Sequence, residues 1–135
     1  LSAVGEGSVV LGVLPFYHIY GMIVVMLSSL VCGATVVTMP KFDPTMFLAA
    51  LDEHRVTNAF LAPPLMGSLA KHPAVDPGKV HVVDIVCGAA PLGADLANAV
   101  KQRLPSLKSC RQVRAPDTQD SPPTATHARR RPADR

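Results

Sequence analysis

The chain predicts an α/β fold, a partial parallel sheet built from alternating β-α units. Three observations carry that prediction. Short runs rich in Val and Leu, without polar alternation, recur between residues 8 and 86, as strands covered on both faces require. Apolar runs at helical spacing lie between them, and Pro or Gly stands at most junctions. Strand and helix thus alternate with short connections, which calls for parallel strands joined by right-handed crossovers.

Ser8 to Leu14 (SVVLGVL) reads as a central strand closed by Pro15. Ile19 to Cys32 is too long for one strand, and with Gly33 at the C′ position it predicts a helix buried nearly all round. Ile19 to Val31 is also shorter than the roughly 20 residues a membrane span needs, so a core helix is expected and no span. Ala34 to Met39 (ATVVTM) is short and β-branched, a second strand ended by Pro40. Asp43-Pro44 then offers an N-cap followed by Pro at the first helical position. Phe47, Leu48 and Leu51 supply the apolar stripe of that helix, which ends near His54. Asn58 to Ala62 predicts a third strand, Pro63-Pro64 opens a helix through about Lys71, and Asp76-Pro77-Gly78 marks a turn. Val80 to Val86 is the fourth strand, with His81 and Asp84 as polar exceptions. Leu92, Leu96, Ala99 and Val100 fall at helical spacing within Leu92 to Leu104, a fourth helix ending before Pro105.

The 135 residues divide near Leu107. Residues 1–107 carry six basic side chains against seven acidic, whereas 108–135 carry seven basic against three acidic, so the net +3 lies in the tail. That Pro- and Arg-rich tail offers little apolar area against roughly 1–2 kcal/mol of backbone entropy per residue, so disorder is expected from Lys108 to Arg135. Its basic groups sit on a segment not expected to fold, and no nucleic-acid partner is predicted. Cys32, Cys87 and Cys110 are odd in number and lack CxxC spacing, which predicts reduced thiols in a cytoplasmic compartment. The histidines show no metal-ligand spacing, so no metal site is expected. No secretory signal is visible.

Two strand-to-helix turns carry the candidate chemistry. Val86-Cys-Gly-Ala-Ala-Pro-Leu-Gly93 has two glycines at Walker A spacing, yet Ala94 and Asp95 stand where Lys and Ser/Thr would be required. Its small residues let backbone groups approach a flat ligand; the alternative is a plain connector. Pro15-Phe-Tyr-His-Ile-Tyr-Gly21 places His18 between the two tyrosines of the chain. An imidazole there can donate to a carboxylate or an oxyanion, or be satisfied within the core. Tyr17 and Tyr20, three apart, are expected to share a face. No GxSxG elbow occurs, so a serine triad is not predicted.

Taken together, Leu14-Pro-Phe-Tyr-His-Ile-Tyr-Gly-Met22, Cys32-Gly-Ala-Thr-Val-Val-Thr-Met-Pro-Lys-Phe-Asp43, His54-Arg-Val-Thr57, Pro63-Pro64, Ala70-Lys-His-Pro-Ala-Val-Asp76 and Gly88-Ala-Ala-Pro-Leu-Gly93 resemble the AMP-forming acyl-CoA synthetases. Within that family the chain is similar to 4-coumarate–CoA ligase-like enzymes over about residues 8–107. The resemblance implies a partial AMP-binding (adenylation) domain over 1–107 and a tail, 108–135, that is not family-like. It implies a carboxylic acid substrate, aromatic in 4-coumarate–CoA ligase-like members, with ATP, Mg²⁺ and coenzyme A serving the full-length enzyme. It implies a cytoplasmic location, peroxisomal in some members. By position, His18 resembles the histidine beside the reacting carboxylate, Tyr20 an acyl-ring contact, and Gly88, Ala89, Ala90 and Pro91 the wall of the acyl and adenine pocket. Cys87 stands where the family often has serine. The family's phosphate loop, its Tyr-Gly-Met-Thr-Glu-type motif, its ribose-binding aspartate and its C-terminal lysine have no counterparts in the 135 residues, so the chain alone is expected to be inactive. A shifted reading frame, an alternative exon or a gene-model error would account for the sequence after Leu107. Two other readings stay open, a non-catalytic α/β binding module and a truncated product without function.

Overall fold

The computed structural model describes residues 4–113. Five strands form one parallel sheet: β1 (Val9–Gly12), β2 (Thr35–Thr38), β3 (Asn58–Leu61), β4 (Asp84–Cys87) and β5 (Ser109–Gln112). Four helical segments connect them. These are α1, π-wound over Tyr20–Leu27 and α-helical over Ser28–Val31, then α2 (Pro44–Glu53), α3 (Pro63–Lys71) and α4 (Ala94–Arg103). The α/β class and the β-α alternation read from the sequence are those of the structure.

The strand order is β2-β1-β3-β4-β5. This order decides where every helix lies. The step from β1 to β2 runs one way along the sheet, and all later steps run the other way. Right-handed crossovers therefore put α1 on one face and α2, α3 and α4 on the opposite face. The packing follows. Phe47 and Leu51 of α2, Met66 and Leu69 of α3 and Val100 of α4 form one core with Leu11, Ala59, Leu61, Ile85 and Cys87. On the other face, Val25 of α1 packs with Val10, Ala34, Phe60 and Val86 in a smaller cluster.

Local chemistry sets the ends of the elements. Asp43 is extended and its carboxylate accepts the Met46 N–H at 2.9 Å, capping α2 ahead of Pro44. Arg103 reaches from the end of α4 to the Ala70 and His72 carbonyls at 2.7 and 2.8 Å, so one guanidinium satisfies the chain leaving α3.

Three expectations are corrected. The first is the burial of α1, since only Gly21, Val25 and Ser29 are buried, while Ile19 is 69% and Val31 87% exposed. The reason is topological: α1 is alone on its face. The second is the start of β4, because Val80 and Val82 are buried yet unpaired in the sheet. The Ser106 hydroxyl lies 2.8 and 3.0 Å from their carbonyl oxygens, so burial there comes without a ladder. The third concerns residues 108–113, which were expected to be disordered. Ser109–Gln112 pairs residue for residue with Asp84–Cys87, Cys110 packs on the larger core, and Arg111 donates to the buried Asp84 carboxylate at 2.8 Å. The rest of the predicted tail, 114–135, lies outside the described residues. Among the described residues, no helix is long and apolar enough to cross a membrane.

Candidate functional site

In open parallel sheets a ligand crevice forms at the carboxyl ends of strands where the connections diverge to opposite faces. Here that point lies between β1 and β3. The chain leaving β1 turns toward α1, and the chain leaving β3 turns toward α3 on the other face. A cleft of about 570 Å³ opens there, lined by Leu14, Pro15, Tyr17, Lys41, Phe42 and Pro64 among others. A second cavity, about 330 Å³, lies between α2 and the loop at Ala74–Val80, and none of His18, Tyr20, Gly88, Ala89, Ala90 and Pro91 lines either the cleft or this cavity.

The structure brings the two predicted turns together through Tyr20. Its hydroxyl donates to the Val86 carbonyl at 3.2 Å, and its ring covers Gly88. A Cβ on Gly88 would stand 2.8 Å from the ring carbon that bears the hydroxyl. Gly88 is thus a glycine because Tyr20 occupies its side-chain space, and the freed approach is used first by protein. Burial, with Cys87 adding to it, pushes the Tyr20 phenol up to about 12, so it remains a neutral donor at physiological pH.

His18 joins this unit by its backbone and ring. Its N–H donates to the Pro15 carbonyl at 3.2 Å, and Nδ1 accepts the Tyr20 N–H at 3.2 Å. In the neutral imidazole the proton therefore resides on Nε2, which faces outward as a donor because His18 is exposed. Gly21 lets the turn close, since a Cβ there would stand 2.1 Å from the Pro15 carbonyl oxygen. Ala89, Ala90 and Pro91 are exposed beside the Tyr20–Gly88 contact. Ala89 has φ +71°, a left-handed conformation that strains an alanine and keeps the turn tight as it leaves β4. Tyr17 does not share the face of Tyr20: it is 93% exposed, because the helix begins only after it.

Sequence reasoning missed a second aromatic lid. Phe16 lies over Gly12, where a Cβ would meet its ring at 2.8 Å. A glycine at a strand end with an aromatic residue four positions later was the available signal. Phe16 belongs to the turn between β1 and α1, and Tyr20 opens α1 directly after it. The Cys87 thiol beneath Tyr20 is pushed up by burial and by Cys110, so it is a packing group rather than a nucleophile. For a divalent metal the donors do not fit, since among the described residues no three His, Cys, Asp or Glu side chains converge.

An all-parallel sheet with helices on both faces and a crevice at the switch point defines the class of open, doubly wound α/β proteins. The comparisons give the family. The family model for the AMP-binding enzyme matches residues 2–113, and the chain belongs to that family. It is 47% identical over 101 residues to 4-coumarate–CoA ligase 3 of Arabidopsis thaliana and 43% identical over 102 residues to 4-coumarate–CoA ligase 2 of Oryza sativa subsp. japonica. These matches cover 74% and 75% of the chain, and the chain spans 18% of each relative. Among solved structures, a natural red-emitting luciferase from Phrixothrix hirtus shares 30% identity at a TM-score of 0.66, with 76% of this chain and 20% of that one covered. The N-terminal domain of FACL13 from Mycobacterium tuberculosis shares the fold at a TM-score of 0.69 and 22% identity, covering 84% of this chain and 28% of that one. The family match reaches Val113, in agreement with the fifth strand.

Proposed function

We propose that the chain forms one wall of the acyl-adenylate pocket of a 4-coumarate–CoA ligase-like enzyme. The observation that carries this reading is the Tyr20–Gly88 contact, which fuses the histidine turn and the Gly-Ala-Ala-Pro turn into one surface. The complete enzyme would join a carboxylate to the α-phosphorus of ATP with release of pyrophosphate. The thiol of coenzyme A would then take the acyl group and release AMP. In that scheme Nε2 of His18 donates to the carboxylate oxygen, Tyr20 lies against the acyl ring, and Gly88, Ala89, Ala90 and Pro91 border the ring and the adenine. An aromatic acid fits a site walled by a tyrosine ring and small residues. The three free thiols agree with a cytoplasmic setting.

The 135-residue chain does not itself complete adenylation. Phosphoryl transfer depends on positioning and charge neutralisation, and there is neither a phosphate-gripping lysine at the Gly88 turn nor, among the described residues, a metal-binding cluster. Calorimetry with a non-hydrolysable coumaroyl-adenylate analogue tests the pocket. Binding weakened about tenfold by Tyr20→Ala, near 1.4 kcal/mol, is the expected result. Acyl-dependent pyrophosphate exchange above background would overturn the inactivity, and no analogue binding would overturn the pocket.

A further inference from the structure

The Tyr20 ring lies where an acyl ring bordered by the Gly88 turn would have to lie. A Cβ on Gly88 would stand 2.8, 3.0 and 3.1 Å from Cζ, the hydroxyl oxygen and Cε1 of Tyr20. Carbon atoms in contact need about 3.5–4 Å, so no flat ligand fits between Tyr20 and Gly88 as they stand. We propose that Tyr20 is a latched lid: its ring closes on Gly88 in the free chain, and an aromatic ligand enters only when the ring turns outward and releases the Val86 carbonyl. The lid rests on the acyl-pocket reading and adds to it a closed state that the free chain must leave.

The latch is a single long bond. The Tyr20 hydroxyl donates to the Val86 carbonyl at 3.2 Å, beyond the roughly 2.5–3.0 Å usual for O–H···O bonds. The ring is only partly buried and packs at the rim of the smaller core cluster, whose members Val10, Val25, Phe60 and Val86 are buried. The hinge is local. Tyr20 is the first residue of the π-wound stretch, and its N–H is held by Nδ1 of His18, so a change of χ1 between staggered wells moves the ring without unwinding the helix. Gly88 serves both states, because the bare backbone on which Tyr20 rests is the surface a ligand ring needs once the lid has turned.

The observed affinity is then the intrinsic affinity scaled by the open fraction. Latch and wall are separable by substitution, since Tyr20→Phe keeps the ring and removes only the latch, whereas Tyr20→Ala removes both. Calorimetry of the full chain with the coumaroyl-adenylate analogue is expected to show Tyr20→Phe binding about fivefold tighter than the unsubstituted chain, opposite in sign to the loss expected for Tyr20→Ala. A second readout needs no variant at Tyr20. The chain has two tyrosines and no tryptophan, so ¹³C-labelled tyrosine rings are resolved by magnetic resonance, with Tyr17→Phe assigning the signals. The nuclear Overhauser contact between the Tyr20 ring and the Gly88 α-protons is expected in the free chain and is expected to vanish when the analogue is bound. Tyr20→Phe binding no more tightly, or the contact surviving in the bound chain, would overturn the lid and leave the pocket standing. Absence of binding by all three chains would overturn the pocket and the lid with it.

Discussion

A methyl group on Gly88 has nowhere to go unless Tyr20 moves. Gly88→Ala is expected to cost about 1–3 kcal/mol, with most of it recovered in the Tyr20→Ala background, as urea unfolding of the four proteins would reveal. Equal costs in both backgrounds would separate the two residues. Tyr20 also makes stability depend on alkaline pH. Its proton is held to about 12 in the folded chain against about 10 unfolded, so the unfolded state releases a proton first. The contribution is complete below pH 10 and is lost as pH rises through 12. After allowance for solvent screening it is on the order of 1 kcal/mol, and Tyr20→Phe should remove that part of the pH dependence. Ala89→Gly, by relaxing a φ of +71°, is expected to raise the free energy of unfolding by about 1 kcal/mol, read from the same urea titrations. These residues were partly legible beforehand. The small-residue turn and the histidine turn announced themselves by composition, whereas the Tyr20–Gly88 contact joins positions 68 apart in sequence, a separation no local pattern reports.

At the level of elements, sequence performed well where a local rule governs. The Asp43-Pro44 pair specified the start of α2, and the carboxylate does cap it. Asp43→Ala is expected to lower stability by about 1 kcal/mol, with Asp43→Ser near neutral, measured by thermal unfolding. A loss shared equally by the serine variant would mean that the cap contributes little. Local rules failed where the cause was remote. The apolar run at α1 reads as a helix buried on all sides, but burial depends on which face of the sheet a crossover reaches. Val80–Val82 reads as strand because a buried loop and a buried strand share the same apolar signature. Ser109–Gln112 contains no β-branched residue, so its strand character comes from β4 beside it and from the pairing of Arg111 with the buried Asp84 carboxylate.

Among the described residues, the sheet ends at β5, which is joined to β4 by its backbone ladder and by the ion pair of Arg111 with the buried Asp84. Asp84 is 4% exposed, Arg111 covers one carboxylate oxygen at 2.8 Å, and the other has no hydrogen-bond partner. Arg111→Ala is expected to cost about 1–3 kcal/mol, because a buried acceptor loses its donor, while Arg111→Leu combined with Asp84→Leu should cost less. Chemical denaturation compares the two, and a double variant weaker than the single one would refute the account. The internal seam between β1 and β3 has a different anchor. The Thr57 hydroxyl accepts the Val9 N–H at 3.0 Å and donates to Asn58 Oδ1 at 2.7 Å. It thereby ties β3 to β1 across 48 positions of sequence. A slip of one residue along that seam would invert β3, turning Phe60 away from Val10 and exchanging the faces on which the strand's side chains stand. Ala62 and Pro64, which line the crevice, would be displaced with it. A hydroxyl at the amino-terminal edge thus sets the alignment of a crevice at the carboxyl edge, and harm to the pocket can begin a full strand length away from it.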